Sequence, residues 1–198
     1  MPKLSDAVRA SRRQRLIDAG WRCLARTPYA DLTVDDICRD AGASKGAFYI
    51  YFPRKEAMLL ALLEDDAARL TRRMEELTGA EPSPSRRLRA FAAHMVESAR
   101  LPGRVQIAAD LWAAVRSDAR VRRSLGQATA ARRRVLRSWV EDGIAAGELT
   151  PAPANALASL MLALSDGLIL HSRLDPEGFK WDNIRLTLDL LLEALAPR

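Results

Sequence analysis

Cysteine is scarce in this 198-residue sequence, and the two present, Cys23 and Cys38, show neither a CxxC nor a Cys/His spacing. That argues against both a disulfide framework and a structural zinc site, and leaves a reducing, cytoplasmic setting as the expectation. Histidine is as rare. His94 and His171 have no partner at ligand spacing, so no metal and no other cofactor is expected. Long hydrophobic runs are missing too: the longest nearly uncharged one, Ala156 to Leu170, is interrupted by Ser165, Asp166 and Gly167, and reads as too short for a bilayer. The N-terminal stretch MPKLSDAVRASRRQR has no apolar core of a signal peptide, and no membrane partner is expected. No segment sustains the period-two alternation of a half-buried strand. Nor is there a nucleophile elbow, a phosphate-cradling glycine loop or a pair of separated carboxylates in an apolar segment, so the chain does not read as an enzyme.

What is present is positive charge, unevenly spread, and helical spacing. Residues 1–56 hold 11 Lys/Arg against 7 Asp/Glu, whereas 57–198 hold 20 against 18, within a formal charge of +6. A basic excess favours a polyanionic partner through counterion release. Gly and Pro fall in clusters at Pro28, Gly42, Pro53, Gly79 to Pro84, Pro102-Gly103, Pro151 to Pro153 and Asp175 to Gly178. Between these breaks small and apolar residues recur every third or fourth position, as at Leu16, Gly20 and Leu24, or Leu88, Phe91, Met95 and Ala99. The pattern predicts an all-α chain of about nine helices, near 11–27, 34–41, 45–51, 54–78, 84–100, 104–115, 118–146, 153–173 and 180–196.

The stretch from Thr33 to Glu56 carries the chemistry. Thr33 and Asp36 match a capping box, so a helix starts there with Val34, Ile37, Cys38 and Ala41 on its inner side. Gly42 supplies the left-handed residue that ends it, and Ser44 is an N-cap for the next. The small residues Ala43, Gly46 and Ala47 would let that second helix approach another backbone closely. Phe48 and Phe52, four apart, face the core; Tyr49 and Tyr51 are thereby turned to solvent, where burial gives them no role. Arg54 and Lys55 sit beside the positive start of a further helix. Cations, phenols and a helix N-terminus on one surface suit gripping phosphates while a short helix enters a major groove.

This run resembles the tetracycline-repressor (TetR) family, whose pattern T-v-x-x-I-A-x-x-A-G-v-s-x-G-x-h-Y-x-[HY]-F-x-x-K-x-x-L is met at Thr33, Ile37, Ala41, Gly42, Ser44, Gly46, Tyr49, Tyr51, Phe52, Lys55 and Leu59. The close match covers about 11–63; Cys38, Gly20 and Pro28 depart from it. The resemblance implies a three-helix helix-turn-helix domain over 1–52 and a regulatory and dimerisation domain over 53–198. It implies a DNA-binding transcriptional regulator, a repressor released from a double-stranded operator by a small-molecule effector of unknown identity. The DNA-binding residues it points to are Thr33, Ser44, Lys45, Gly46, Ala47, Tyr49, Tyr51, Arg54 and Lys55, with Thr33, Tyr49 and Lys55 on phosphates. The alternative is an effector-free dimer whose C-terminal domain serves only dimerisation or protein interaction.

Two features lie beyond the motif. In 156–170 and 184–195 apolar residues surround the helix, and a helix apolar on every side must be covered on every side. Leu160, Leu164, Leu168, Leu188, Leu191 and Leu195 are therefore expected at a homodimer interface, where two helices from each chain make a four-helix contact. Phe91, Met95, Trp112, Trp139 and Met161, with Asp166 as a polar partner, are the expected lining of an effector pocket; Asp110 is a second candidate carboxylate.

Overall fold

A computed structural model describes residues 6–101 and 118–197, the side chain of Arg173 excepted. Among these residues the chain is all-helical, with α1 (Asp6–Leu24), α2 (Val34–Ala41), α3 (Lys45–Tyr51), α4 (Lys55–Ala80), α5 (Pro84–Ala99), α6 (Ala119–Ala145), α7 (Ala154–Leu174) and α8 (Trp181–Glu193). The helix expected at 104–115 lies outside the described residues. α1 starts earlier than the spacing predicts, because Ala7, Val8 and Ala10 continue the helical run with Asp6 in the favourable first turn.

Side chains bury in two cores, and α4 belongs to both. The first joins Leu16, Ile17 and Cys23 of α1, Ile37 and Cys38 of α2, and Phe48 and Phe52 around α3 to Met58, Leu59, Leu62 and Leu63 of α4, and takes in Val121 of α6. The unit expected at 1–52 thus shares its core with residues that follow it. Gly20 permits the close approach of α1 to α4: a Cβ there would stand 2.6 Å from Met58 Cε and 3.3 Å from Leu62 Cδ2. Cys23 and Cys38 are small core residues, and burial pushes both thiols above the usual range.

The second core gathers Met74 and Leu77 of α4, Leu88, Phe91 and Met95 of α5, Leu136, Trp139 and Val140 of α6, and Ala158, Met161 and Leu162 of α7. Trp139 is fully buried. Its ring meets Phe91 edge-on, with centroids 6.3 Å apart, and its Nε1–H donates to Thr78 Oγ1 at 3.0 Å. Phe91, Met95, Trp139 and Met161 are therefore brought together, but as packed core. Trp112 and Asp110 lie outside the described residues.

α7 matches the helix predicted at 153–173, but its apolar span is longer than the 156–170 stretch read as too short for a bilayer: Ala154–Ser172, with mean hydropathy 1.3, has the length and composition to cross one. The fold gives that character another use. Met161 and Leu168, seven residues apart, share the face that packs inward. Leu160, at 66% exposure, together with Leu164, Leu170 and Leu174, lies open, and α8 adds exposed Leu186, Leu190 and Leu191. Two of the expected interface residues are thereby corrected, since Leu168 is buried in its own chain and Leu195 packs on the second core. Leu188 is half-buried.

Replacing Trp139 by Ala removes a side chain with no room to collapse around it, and is expected to lower unfolding free energy by roughly 3–5 kcal/mol. Denaturant titration checks this. A loss below about 1 kcal/mol would mean that Trp139 lines a hollow and is not part of a filled core.

Candidate nucleic-acid interface

The turn between α2 and α3 is fixed at every step by a named group. Thr33 accepts from Asp36 N at 3.2 Å and donates its own backbone N–H to Asp36 Oδ2 at 3.1 Å, completing the capping box. Gly42, at φ 61°, occupies the left-handed region and ends α2, and Arg15 of α1 donates to Ala41 O at 2.8 Å, one of the carbonyls the helix leaves open. Ser44 Oγ accepts from Ala47 N at 3.1 Å and starts α3. Phe48 and Phe52 then anchor that helix, their rings 5.4 Å apart, with the Arg13 guanidinium 5.3 Å from the Phe52 centroid.

With Phe48 inside, α3 presents its opposite side to solvent. Ser44, Lys45, Gly46, Tyr49 and Ile50 are exposed, Tyr49 at 51% and Ile50 at 67%. Ala47 is half-buried. Tyr51 differs from expectation: it is half-buried and packs against the first core, its edge in a groove of about 330 Å³ with Ser44, Ala47 and the α1 residues Arg9 and Arg12. Gly46 differs as well, because a Cβ there would meet only Ser44 Oγ at an ordinary 3.8 Å. Its smallness serves no packing within the chain and leaves the tip of α3 open to an outside partner. The reading of sequence missed Ile50, Arg9 and Arg12; the three-residue spacing of the arginines, which puts them on one helix face, was the available signal.

The charged groups are held loosely or tightly according to position. Lys45 Nζ lies 2.8 Å from Asp35 Oδ2, and this hydrogen bond raises the lysine above its usual range. Both side chains are more than half exposed, so the pair is worth little and can exchange for another anion. Thr33 is more committed: its hydroxyl also donates to Asp36 Oδ2 at 2.5 Å, and these bonds hold the Asp36 carboxyl below the usual range. Lys55, the expected phosphate contact, is engaged within the chain. Its ammonium donates to Tyr29 O at 2.5 Å and Ala30 O at 3.4 Å and lies 4.3 Å from the Tyr29 ring centroid, tying the start of α4 to the turn before α2. Arg54 is exposed and forms the N-cap of α4 without a side-chain cap bond, so no side chain satisfies the first N–H groups of that helix at its N-cap.

Elsewhere, Asp166 keeps solvent access on α7, and the protein around it raises its carboxyl above the ordinary value against the pull of Arg132. A cleft of about 420 Å³ that sequence reasoning did not foresee opens between α1 and α4, lined by Asp18, Trp21, Arg22, Ala25, Asp66, Arg69 and Leu101.

Residues 16–62 match the family described as bacterial regulatory proteins, tetR family, and residues 84–197 match the C-terminal region of BetI-type transcriptional repressors. Over 70 residues the chain is 37% identical to the HTH-type transcriptional repressor AcnR of Corynebacterium diphtheriae, covering 35% of this chain and 37% of that protein. The chain therefore aligns with little more than a third of that relative's length. A TetR transcription regulator from Haloarcula marismortui shares the fold with a TM-score of 0.82 at 20% identity, over 95% of this chain and all of the other. A transcriptional regulator from Saccharomonospora viridis, solved in complex with choline, gives 0.78 at 22% identity, over 93% and 96% of the two chains.

Lys55→Met is expected to lower the melting temperature, because it removes charge-assisted bonds to two carbonyls, and to leave the salt dependence of DNA binding unchanged. Tyr49→Phe should do the reverse, weakening binding to all duplex sequences with stability intact. A salt slope reduced by about 0.9 in Lys55→Met would return that residue to the phosphate surface.

Proposed function

The chain belongs to the tetR family of bacterial regulatory proteins, and from that premise we propose that it is a homodimeric DNA-binding transcriptional regulator acting in the cytoplasm as a repressor. One observation carries the reading: α3 buries only Phe48 and holds Ser44, Lys45, Gly46, Tyr49 and Ile50 outward, with the uncapped start of α4 and Arg54 close by in sequence. A seven-residue helix is the right size to enter a major groove end-on. Lys45, Gly46 and Ala47 stand where base edges would be read, and the exposed methyls of Ile50 suit contact with thymine C5-methyl groups. Tyr49, Arg54, the α4 N–H groups and the arginines of α1 are suited to phosphates, which set position without reading sequence. Thr33 joins them once its hydroxyl is released from Asp36. Tyr51 supports the helix from its inner edge.

The open leucines of α7 and α8 supply the dimer surface in this reading, with Leu160, Leu164 and Leu191 at its centre, extended by Leu186 and Leu190. An isologous contact there covers both copies' apolar faces at once and sets two α3 helices for successive major-groove faces. The regulator is released by a small molecule held in the C-terminal domain, through preference for a conformation with different head spacing. The choline complex of the Saccharomonospora viridis protein supports a small-molecule effector as a class. The packed state of Phe91, Met95, Trp139 and Met161 gives those four side chains no part in that argument.

Selection of genomic fragments by the purified protein is expected to enrich an inverted repeat matching the two-fold dimer; no enrichment over bulk DNA would overturn the reading. For the dimer, Leu160→Glu is expected to give monomers by light scattering while the helical circular dichroism spectrum persists. A wild-type chain that is monomeric at micromolar concentration would remove the interface.

A further inference from the structure

The regulatory region brings its own cations to the reading-head end of the molecule. α6 lies alongside α4 and runs in the same direction: Ser124 Oγ donates to Glu64 Oε1 at 3.4 Å, and further along Trp139 Nε1 donates to Thr78 Oγ1 at 3.0 Å. In that register residue 120 stands beside residue 60, only about 8 Å along the axis from the start of α4 at a rise of roughly 1.5 Å per residue. Val121 confirms the placement, being buried in the same core as Phe48, Leu59 and Leu62. Asp118, the N-cap of α6, lies within the electrostatic field of Arg54. Arg120, Arg122 and Arg123 are exposed on the first turns of α6, where Asp118 and, from α4, Glu64 are the carboxylates the contacts bring near. Side chains on a helix lean toward its N-terminus, so these guanidinium groups lean toward the end at which α4 begins.

We infer that Arg120 and Arg123 form a second phosphate-binding patch, carried by α6, that holds duplex backbone beside the segment gripped by α3 and the start of α4. The inference rests on the DNA-binding reading above and extends it: the regulatory region itself touches the nucleic acid. The contact is electrostatic and independent of base sequence, since nothing in two exposed guanidinium groups selects an edge pattern. Its consequence is that a shift of α6 along α4 alters DNA affinity directly, without any change within the helix-turn-helix.

The test uses the full-length dimer and a mixed-sequence DNA duplex several helical turns long, with affinity measured by anisotropy across a salt series. The double variant Arg120→Gln/Arg123→Gln is expected to bind more weakly at low salt and to lose about 0.9 of log–log slope for each contact removed. Arg134→Gln/Arg137→Gln removes the same charge from exposed positions about 20 Å further along α6, and is expected to keep the wild-type slope. Melting curves for all three proteins exclude a folding defect. An unchanged slope in the first variant, or an equal loss in both, overturns the patch. A wild-type protein with no salt-dependent duplex binding overturns the DNA-binding reading itself.

Discussion

The rest of the structure depends on α4 being one unbroken helix that serves two cores. Its first half supplies Met58, Leu59, Leu62 and Leu63 to the head, and its second half supplies Met74 and Leu77 to the regulatory core. Between these lies a polar clasp: Asp65, only 9% exposed, accepts from Gln14 and Trp21 of α1 at 3.2 Å each and from Arg69 at 2.7 Å, while Arg69 also reaches Asp18 at 2.9 Å. A buried carboxylate left without these donors would be costly, so the clasp favours a single angle between α1 and α4. The head cannot turn on α4 without breaking it or pulling Gly20 away from Met58. A displacement of α4 would therefore carry α1 with it.

The recognition surface follows from the same constraint. α3 is too short to be helical by itself, and the burial of Phe48 and Phe52 is what stabilises it. Because those two rings take the inner face, Tyr49 and Ile50 have nowhere to go but outward. Between α1 and α2, Asp40 binds Arg22 and Arg26 at 2.6 and 2.7 Å, and the hydrogen bond from Arg26 holds its carboxyl below the usual range. Lys45 by contrast sits in an exposed pair that phosphate can displace at little cost.

Much of this was legible in the residues alone. The capping box at Thr33, the left-handed Gly42 and the Ser44 cap are local devices, set by neighbours within a few positions, and the sequence spells them out. The inner and outer faces of α3 follow from the four-residue spacing of Phe48 and Phe52. What was not legible depends on distant chain. Lys55 bonds to carbonyls 25 and 26 residues away, a contact that its position beside a helix start does not announce. Leu168 and Leu195 cannot be told from Leu160 and Leu191 on helices apolar all round, since only the packing of α5 and α6 decides which face is covered. Phe91, Met95, Trp139 and Met161 share one buried cluster, and spacing does not distinguish a filled core from a lined cavity. Arg9 and Arg12 gain meaning only once α1 is seen to flank the turn that carries α3.

The central claim is that two copies of α3, fixed to two copies of α4, meet one duplex together. Hydroxyl-radical footprinting of the wild-type protein on a DNA fragment it selects tests this most directly. Two protected backbone patches per site are expected, centred about 10–10.5 base pairs apart on one face of the duplex. A single protected patch per site, or uniform protection without a helical repeat, would contradict it.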